Sequence, residues 1–440
     1  MEEILSGYHV NEPTWFYLSL LLILAVFFKF GRIWSVRNLD LVLLLALAPG
    51  LLLVRSTNLM PSVGYSFLFA VTGLLLLRLL LDAAFTRRPR LEQNLNTAGM
   101  AFLCASALLF QITKITTEQP DVAAVRTVRG ADDLLKRQDV STSPPETTDP
   151  KSETGPAGRL LATPVLPLAG GAEVAAARTM AILSHLAVML GLIAVGRWHF
   201  SDTSMGIAMA ALYLLLPCTA YDVSKVNHLL PAALIIWSVA MHRRPMVAGI
   251  LLGLACGTVF FPIFLLPIWM AFYWKRGALK FGFALVLTGA VLLGSLIMTS
   301  ADSTSFKQQT LGSIDWSVLT FQAENGAGFW GLYNPAYRIP VFATFVVMLI
   351  ALTIWPTRKN LEHLLAHSTA VVVATQFWYP HQGGVYVLWY LPLMLVVTFR
   401  PRLNHLPLQQ QPEETRVAAS DGNGNPRSDI PRSSPRIQLF

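Results

Sequence analysis

Runs of about twenty consecutive, mostly apolar residues recur along the whole chain, and that is the length a helix needs to cross bilayer hydrocarbon. Lipid tolerates no unpaired backbone group, so each run must close its own hydrogen bonds as a helix or pair inside a closed barrel. The runs are Thr14–Phe30, Leu39–Val54, Gly64–Phe85, Thr97–Ile115, Ala175–Val195 and Thr203–Ala220. Leu229–Met241, Met246–Trp274, Phe281–Ser300, Ile339–Trp355, His363–Tyr379 and Val385–Phe399 continue the series. They lack the apolar–polar alternation of a barrel strand, which leaves helices. With 54% hydrophobic and 13% charged residues and a mean hydropathy of +0.51, the chain does not fit a soluble domain. The expected fold class is an all-α polytopic integral membrane protein.

Charge sets the expected orientation, because Lys and Arg in short loops mark the cytoplasmic side. Basic loops at Lys29-Arg32-Arg37, Arg87-Arg88-Arg90, Arg197-His199, His242-Arg243-Arg244, Lys275-Arg276-Lys280, Arg358-Lys359 and Arg400-Arg402 alternate with weakly basic ones at 55–63, 116–174, 221–228, 301–338 and 380–384. The alternation requires Met246–Trp274 to cross twice, as a hairpin broken near Gly257 and Pro262. At 1.5 Å per residue that run is short for two full spans, so short or partly re-entrant helices are expected there. One long tilted helix would break the alternation. The reading gives about thirteen helices, an outside N-terminus and a cytoplasmic C-terminus, as in a bacterial cytoplasmic membrane. The net charge of +8 is assigned to cytoplasmic loops, with no nucleic-acid partner.

The acidic, polar start of the chain does not resemble a cleaved signal, and its first apolar run is read as a retained helix. Three helices occupy residues 1–96. The start of the 116–174 loop suits a helix and its Ser/Thr/Pro-rich middle reads as disordered, as does the tail at 403–440. Cys104, Cys218 and Cys256 fall in apolar runs and read as buried helix residues. Arg78 is expected to snorkel to the cytoplasmic interface.

Walker A, GxSxG, HExxH and CxxC patterns are missing, so no cofactor or metal is expected from motifs. Ionisable residues within the runs are scarce, which argues against a proton-driven pump. Polar residues gather instead at the extracytoplasmic helix ends, and chemistry is expected there.

Between Ala176 and Trp274 the chain resembles the GT-C superfamily of polyprenyl-phosphate-sugar-dependent glycosyltransferases, in its bacterial mannosyltransferase-like branch. The carrying residues are Lys225-Val226-Asn227, His242-Arg243-Arg244, Ala248-Gly249, Leu252-Gly253, Pro262 and Leu266-Pro267, with a second match at Trp378–Leu395. The chain departs from the pattern at Val259, where relatives often carry a lysine. The resemblance implies a GT-C-like bundle whose seven-helix module spans 97–300, with extracytoplasmic loops at 116–174 and 301–338 and further helices at 339–402. It also implies inverting transfer of a sugar such as mannose from a polyprenyl-phosphate donor to a glycan or lipid acceptor. A carboxylate would act as base, and cationic or hydrogen-bonding groups would steady the leaving phosphate.

Asp121, after the helix end at Glu118-Gln119-Pro120, is the first choice for that base, with Asp132 and Asp133 as backups. Asp121 also suits an ordinary helix cap. Lys225, His228 and Arg178 are candidates for the phosphate and Asn227 for a sugar hydroxyl, although Asp222–Lys225 also suits a plain local ion pair. Arg338 and His381, with Glu324, Asn325, Tyr333, Asn334 and Tyr379, are candidates from the later loops. The competing reading is a non-catalytic or transport-type membrane protein, such as a transporter or lipid flippase.

Overall fold

The computed structural model describes residues 11–55, 61–82, 93–137, 155–275, 277–300, 302–303, 306–307, 328–357, 359–380 and 382–401. The middle of the 116–174 loop, most of the 301–338 loop with Glu324 and Asn325, His381 and the 403–440 tail lie outside them. Among the described residues every regular element is helical. In chain order the helices are α1 (Glu12–Phe27), α2 (Val36–Arg55), α3 (Pro61–Leu80), α4 (Thr97–Thr117), α5 (Val122–Lys136), α6 (Pro156–Ala162), α7 (Val165–Leu168), α8 (Glu173–His199) and α9 (Thr203–Leu215). There follow α10 (Pro217–Tyr221), α11 (Val226–Ala240), α12 (Pro245–Cys256), α13 (Leu266–Tyr273), α14 (Ala278–Met298), α15 (Arg338–Ile354), α16 (Leu361–Trp378) and α17 (Val387–Phe399).

Five of them, α2, α3, α4, α8 and α14, are long and apolar enough to cross a membrane. The chain therefore reads as a membrane protein. Four of the described helices begin at a side-chain cap. Asn11, Asn96, Asp202 and Asn360 each accept a hydrogen bond from a first-turn amide of α1, α4, α9 and α16. Such caps satisfy donors that the helix cannot, each contributing about 1 kcal/mol.

α9 and α17 are apolar on all sides and buried on all sides, and they form the middle of the bundle. α8 and α4 pack on α9, α11 packs on α8 and α17, and α16 lies between α17 and α3. One continuous core runs from Trp15 on α1 to Phe399 on α17, so the three N-terminal helices share it with the rest. Small residues set the closest crossing. A Cβ on Gly196 of α8 would stand 2.5 Å from the Gly206 backbone of α9, so those helices touch main chain to main chain.

The segment after α11 folds back on itself. α12 ends at Cys256, a turn leads to a 3-10 stretch at Phe261–Leu265, and α13 returns until the Tyr273 hydroxyl donates to His242 O at 2.6 Å. At its tip, Gly155 N donates to Thr258 O and Ala157 N to Gly257 O, fixing the end of the 116–174 loop to the hairpin. A Cβ on Gly155 would lie 2.5 Å from Gly257 O, which explains a glycine there.

Arg78 does not snorkel, contrary to expectation. It is 4% exposed and makes a two-pronged ion pair with Asp40 of α2 and a further one at 2.6 Å with Asp82. Arg400, just past α17, closes on the other oxygen of Asp82 and donates to Glu362 O at 2.7 Å. Partner carboxylates on neighbouring elements hold this guanidinium inside, a course open to any buried charge that finds full pairing.

Candidate functional site

The opposite end of the bundle carries a cleft, and its floor is built by a helix that cannot continue. α9 stops at Leu215 because Pro217 has no amide proton to give. Side chains take the carbonyls around the break: Gln111 Nε2 donates to Leu214 O at 2.9 Å, Thr219 Oγ1 to Tyr213 O at 2.6 Å, and Lys114 Nζ to Ala220 O at 2.6 Å. Beneath the following loop, His185 Nε2 lies 3.0 Å from Val223 O, and His185 Nδ1 lies 2.9 Å from the Tyr213 hydroxyl. A carbonyl only accepts, so Nε2 carries the proton and Nδ1 receives one from the tyrosine. The 222–228 loop is thus anchored from below.

A satellite core seats α5 above that loop. Ala124, Val128 and Ala131 on its inner face pack with Met180, Ala181, Val223 and Val226. The first turn of α5 is thereby fixed beside the loop, although the two are distant in sequence. Asp121 occupies the N-cap position with extended backbone, and its carboxylate lies over the amides of Ala123 and Ala124 without closing a cap hydrogen bond.

Asp121, Asp222, Ser224 and Lys225 line one cleft of about 420 Å³ with Glu118 and Gln119. Arg55 and Tyr65 enter from the N-terminal helices and Gln382 from the segment before α17. The Asp222 side chain is 1% exposed, and its Oδ1 accepts from both Arg55 and Lys225, the latter at 2.9 Å. Arg55 also donates to Glu12 at 2.7 Å and lies over the Tyr221 ring. Burial alone would raise the Asp222 pKa, but Lys225 and then Arg55 outweigh it and hold the carboxyl below its usual range. At Asp121 burial prevails and, with Asp222 nearby, lifts the carboxyl above its usual range against the pull of Lys225. Two carboxylates of one cleft are thus driven in opposite directions.

Other expected residues fall in different places. Arg178 Nη2 donates to Glu118 O at 3.0 Å, bracing the approach to Asp121, and its buried Nε has no partner. Asn227 and His228 sit in the first turn of α11, with Asn227 Oδ1 and His228 Nδ1 buried and unpartnered. The imidazole of His228 meets Tyr386 and Trp389 edge-on. Ser224 Oγ and Asp222 Oδ2 are likewise buried without partners among the described residues, so the loop concentrates unused hydrogen-bonding capacity beside the cleft. Asp132 and Asp133 lie about 16 Å further along α5, where Asp132 pairs with Lys136. Burial and then Asp132 raise the Asp133 carboxyl. Arg338 is buried, donates to Trp378 O at 3.0 Å at the end of α16, and does not line the cleft. His381 lies outside the described residues.

The sequence reading missed Arg55. Its signal was a lone arginine ending an apolar helix on the side expected to be poor in basic residues. Among the described residues no group of His, Cys, Asp or Glu side chains is arranged to hold a metal ion. Compared with protein-family models, curated proteins and solved structures, the chain matches none.

Proposed function

We propose that this chain is a GT-C-type membrane glycosyltransferase that moves a sugar from a polyprenyl-phosphate donor to an acceptor hydroxyl by inverting transfer. The observation that carries the reading is the meeting of Asp121 and Lys225, remote in sequence, in one cleft at the helix ends. Asp121 takes the proton of the acceptor hydroxyl while its oxygen bonds to the anomeric carbon. The bond from that carbon to the phosphate oxygen breaks, and Lys225 meets the charge left on the phosphate. A buried carboxylate with a raised pKa is a stronger base than an exposed one, which suits Asp121 to this role. Val259 packs against the hydrophobic core, and among the described residues the cations that line the cleft are Lys225 and Arg55. The proposal includes about thirteen crossings, with the cleft on the extracytoplasmic side.

The test is incorporation of radiolabel from a polyprenyl-phosphate sugar into membrane lipid or glycan, wild type against Asp121→Asn. Loss of about 10²–10⁴-fold is expected for removal of the base. Equal incorporation by the two proteins would rule out Asp121 in that role. Transbilayer movement of labelled lipid with no transfer would support the transport reading instead.

A further inference from the structure

The turn joining α1 to α2 has no part in the cleft, and its construction is unusual. Asn38 is buried at the start of α2 and faces back into the turn. Its Nδ2 donates to Lys29 O, Arg32 O and Ile33 O at 3.0–3.3 Å, and its Oδ1 accepts from Lys29 N at 3.2 Å. The turn is therefore stapled along its length by one side chain, beneath a 3-10 step at Phe30–Arg32.

What this turn presents is apolar and cationic together. Trp34 is 99% exposed, Phe30 and Ile33 are exposed, and a Cβ on Gly31 would meet no atom. Lys29 and Arg32 flank them with no acidic partner among the described residues. Water would penalise such an apolar group. Deep hydrocarbon would penalise the cations. The turn links two apolar helices, and α2 measures about 30 Å to its far end at the cleft, so the turn lies at the level of one headgroup layer. Trp274, exposed beside Lys275, repeats the pairing, and the Tyr273–His242 and His199–His242 contacts set that segment beside the basic ends of α8 and α11.

We propose that the Asn38-stapled turn is a binding surface for anionic phospholipid, with Trp34 seated at the headgroup level and Lys29 and Arg32 against lipid phosphates. Charge complementarity selects the anionic lipid over a zwitterionic one. Preorganisation by Asn38 lowers the ordering cost of that contact.

The full chain would be reconstituted in nanodiscs containing either brominated phosphatidylglycerol or brominated phosphatidylcholine at equal mole fraction. The quenching carried by Trp34 is the difference between wild type and Trp34→Phe. That difference is expected to be larger for the brominated anionic lipid. In the Lys29→Gln/Arg32→Gln variant, whose changes are at a half-buried and an exposed position, the preference should fall by about fivefold per cation removed, with Trp34 still quenched by both lipids. Asn38→Ala should weaken the preference with both cations retained. Equal quenching of wild-type Trp34 by the two lipids, no quenching by either, or an unchanged preference in the double variant would overturn the proposal.

Discussion

The molecule holds two ionic clusters at opposite ends of one helix bundle, and they are finished to different degrees. At the Asp40–Arg78–Asp82–Arg400 cluster all four carboxylate oxygens are engaged: both of Asp40 by Arg78, and one each of Asp82 by Arg78 and Arg400. At the cleft, Asp222 gives one oxygen to two cations and leaves the other buried and unpartnered. Asp121, near by, lacks a closed cap bond. Engagement of every carboxylate oxygen fits a structural tie between α2, α3 and the end of α17. Incomplete pairing suits a ligand site, because a ligand can supply the missing partners.

The largest effect should come from breaking the closed cluster. Arg78→Met leaves Asp40 without its cation, and removal of one partner from a buried pair costs about 3–5 kcal/mol. Thermal unfolding in detergent should show it, and a melting temperature equal to wild type would erase the contrast. At the other end Arg55→Gln should cost less, about 1.5–3 kcal/mol, because Lys225 still serves Asp222 and Arg55 is partly exposed. Asp121→Asn should leave stability within about 1 kcal/mol, since no cap bond is lost and Asn suits the N-cap position as well as Asp. Under the proposed function its effect belongs to the transfer rate alone.

The smallest effect concerns pH. The folded pKa of Asp222 lies below its unfolded value, so its contribution is fully present above about pH 3.9 and fades as pH falls through the lower folded value. Asp222→Asn should flatten that acid limb of stability. Asp121 acts in the opposite sense, because its folded pKa is raised. As the base it must be ionised, so transfer should decline on acidification through a pKa above the ordinary aspartate value. An acid limb at or below that value would contradict the buried setting of Asp121.

The apolar runs made the helices legible, because lipid forces each run to satisfy its own backbone. Run ends at Thr97, Thr203 and Phe399 coincide with helix ends, and the return of Tyr273 to His242 follows the break between Gly257 and Pro262. The meeting of Asp121 with Lys225 was readable only through the placement of their loops on one side. Arg78 was misread because its partners, Asp40 and Asp82, stand near helix ends, where a carboxylate looks like a solvated flank. Arg55 was missed for a related reason: an ion pair spanning α2 and the 222–228 loop leaves no local pattern.

The central claim is that the cleft, and not the closed cluster, is where a ligand binds. It is tested most directly by the change in melting temperature on adding a polyprenyl-phosphate sugar to wild type and to Lys225→Gln. A ligand that binds only the folded state raises its stability. The account predicts a rise for wild type that is largely lost in Lys225→Gln, each rise being measured from the protein's own ligand-free melting temperature, which loss of the Asp222 partner lowers in the variant. No rise in wild type, or an undiminished rise in the variant, would contradict it.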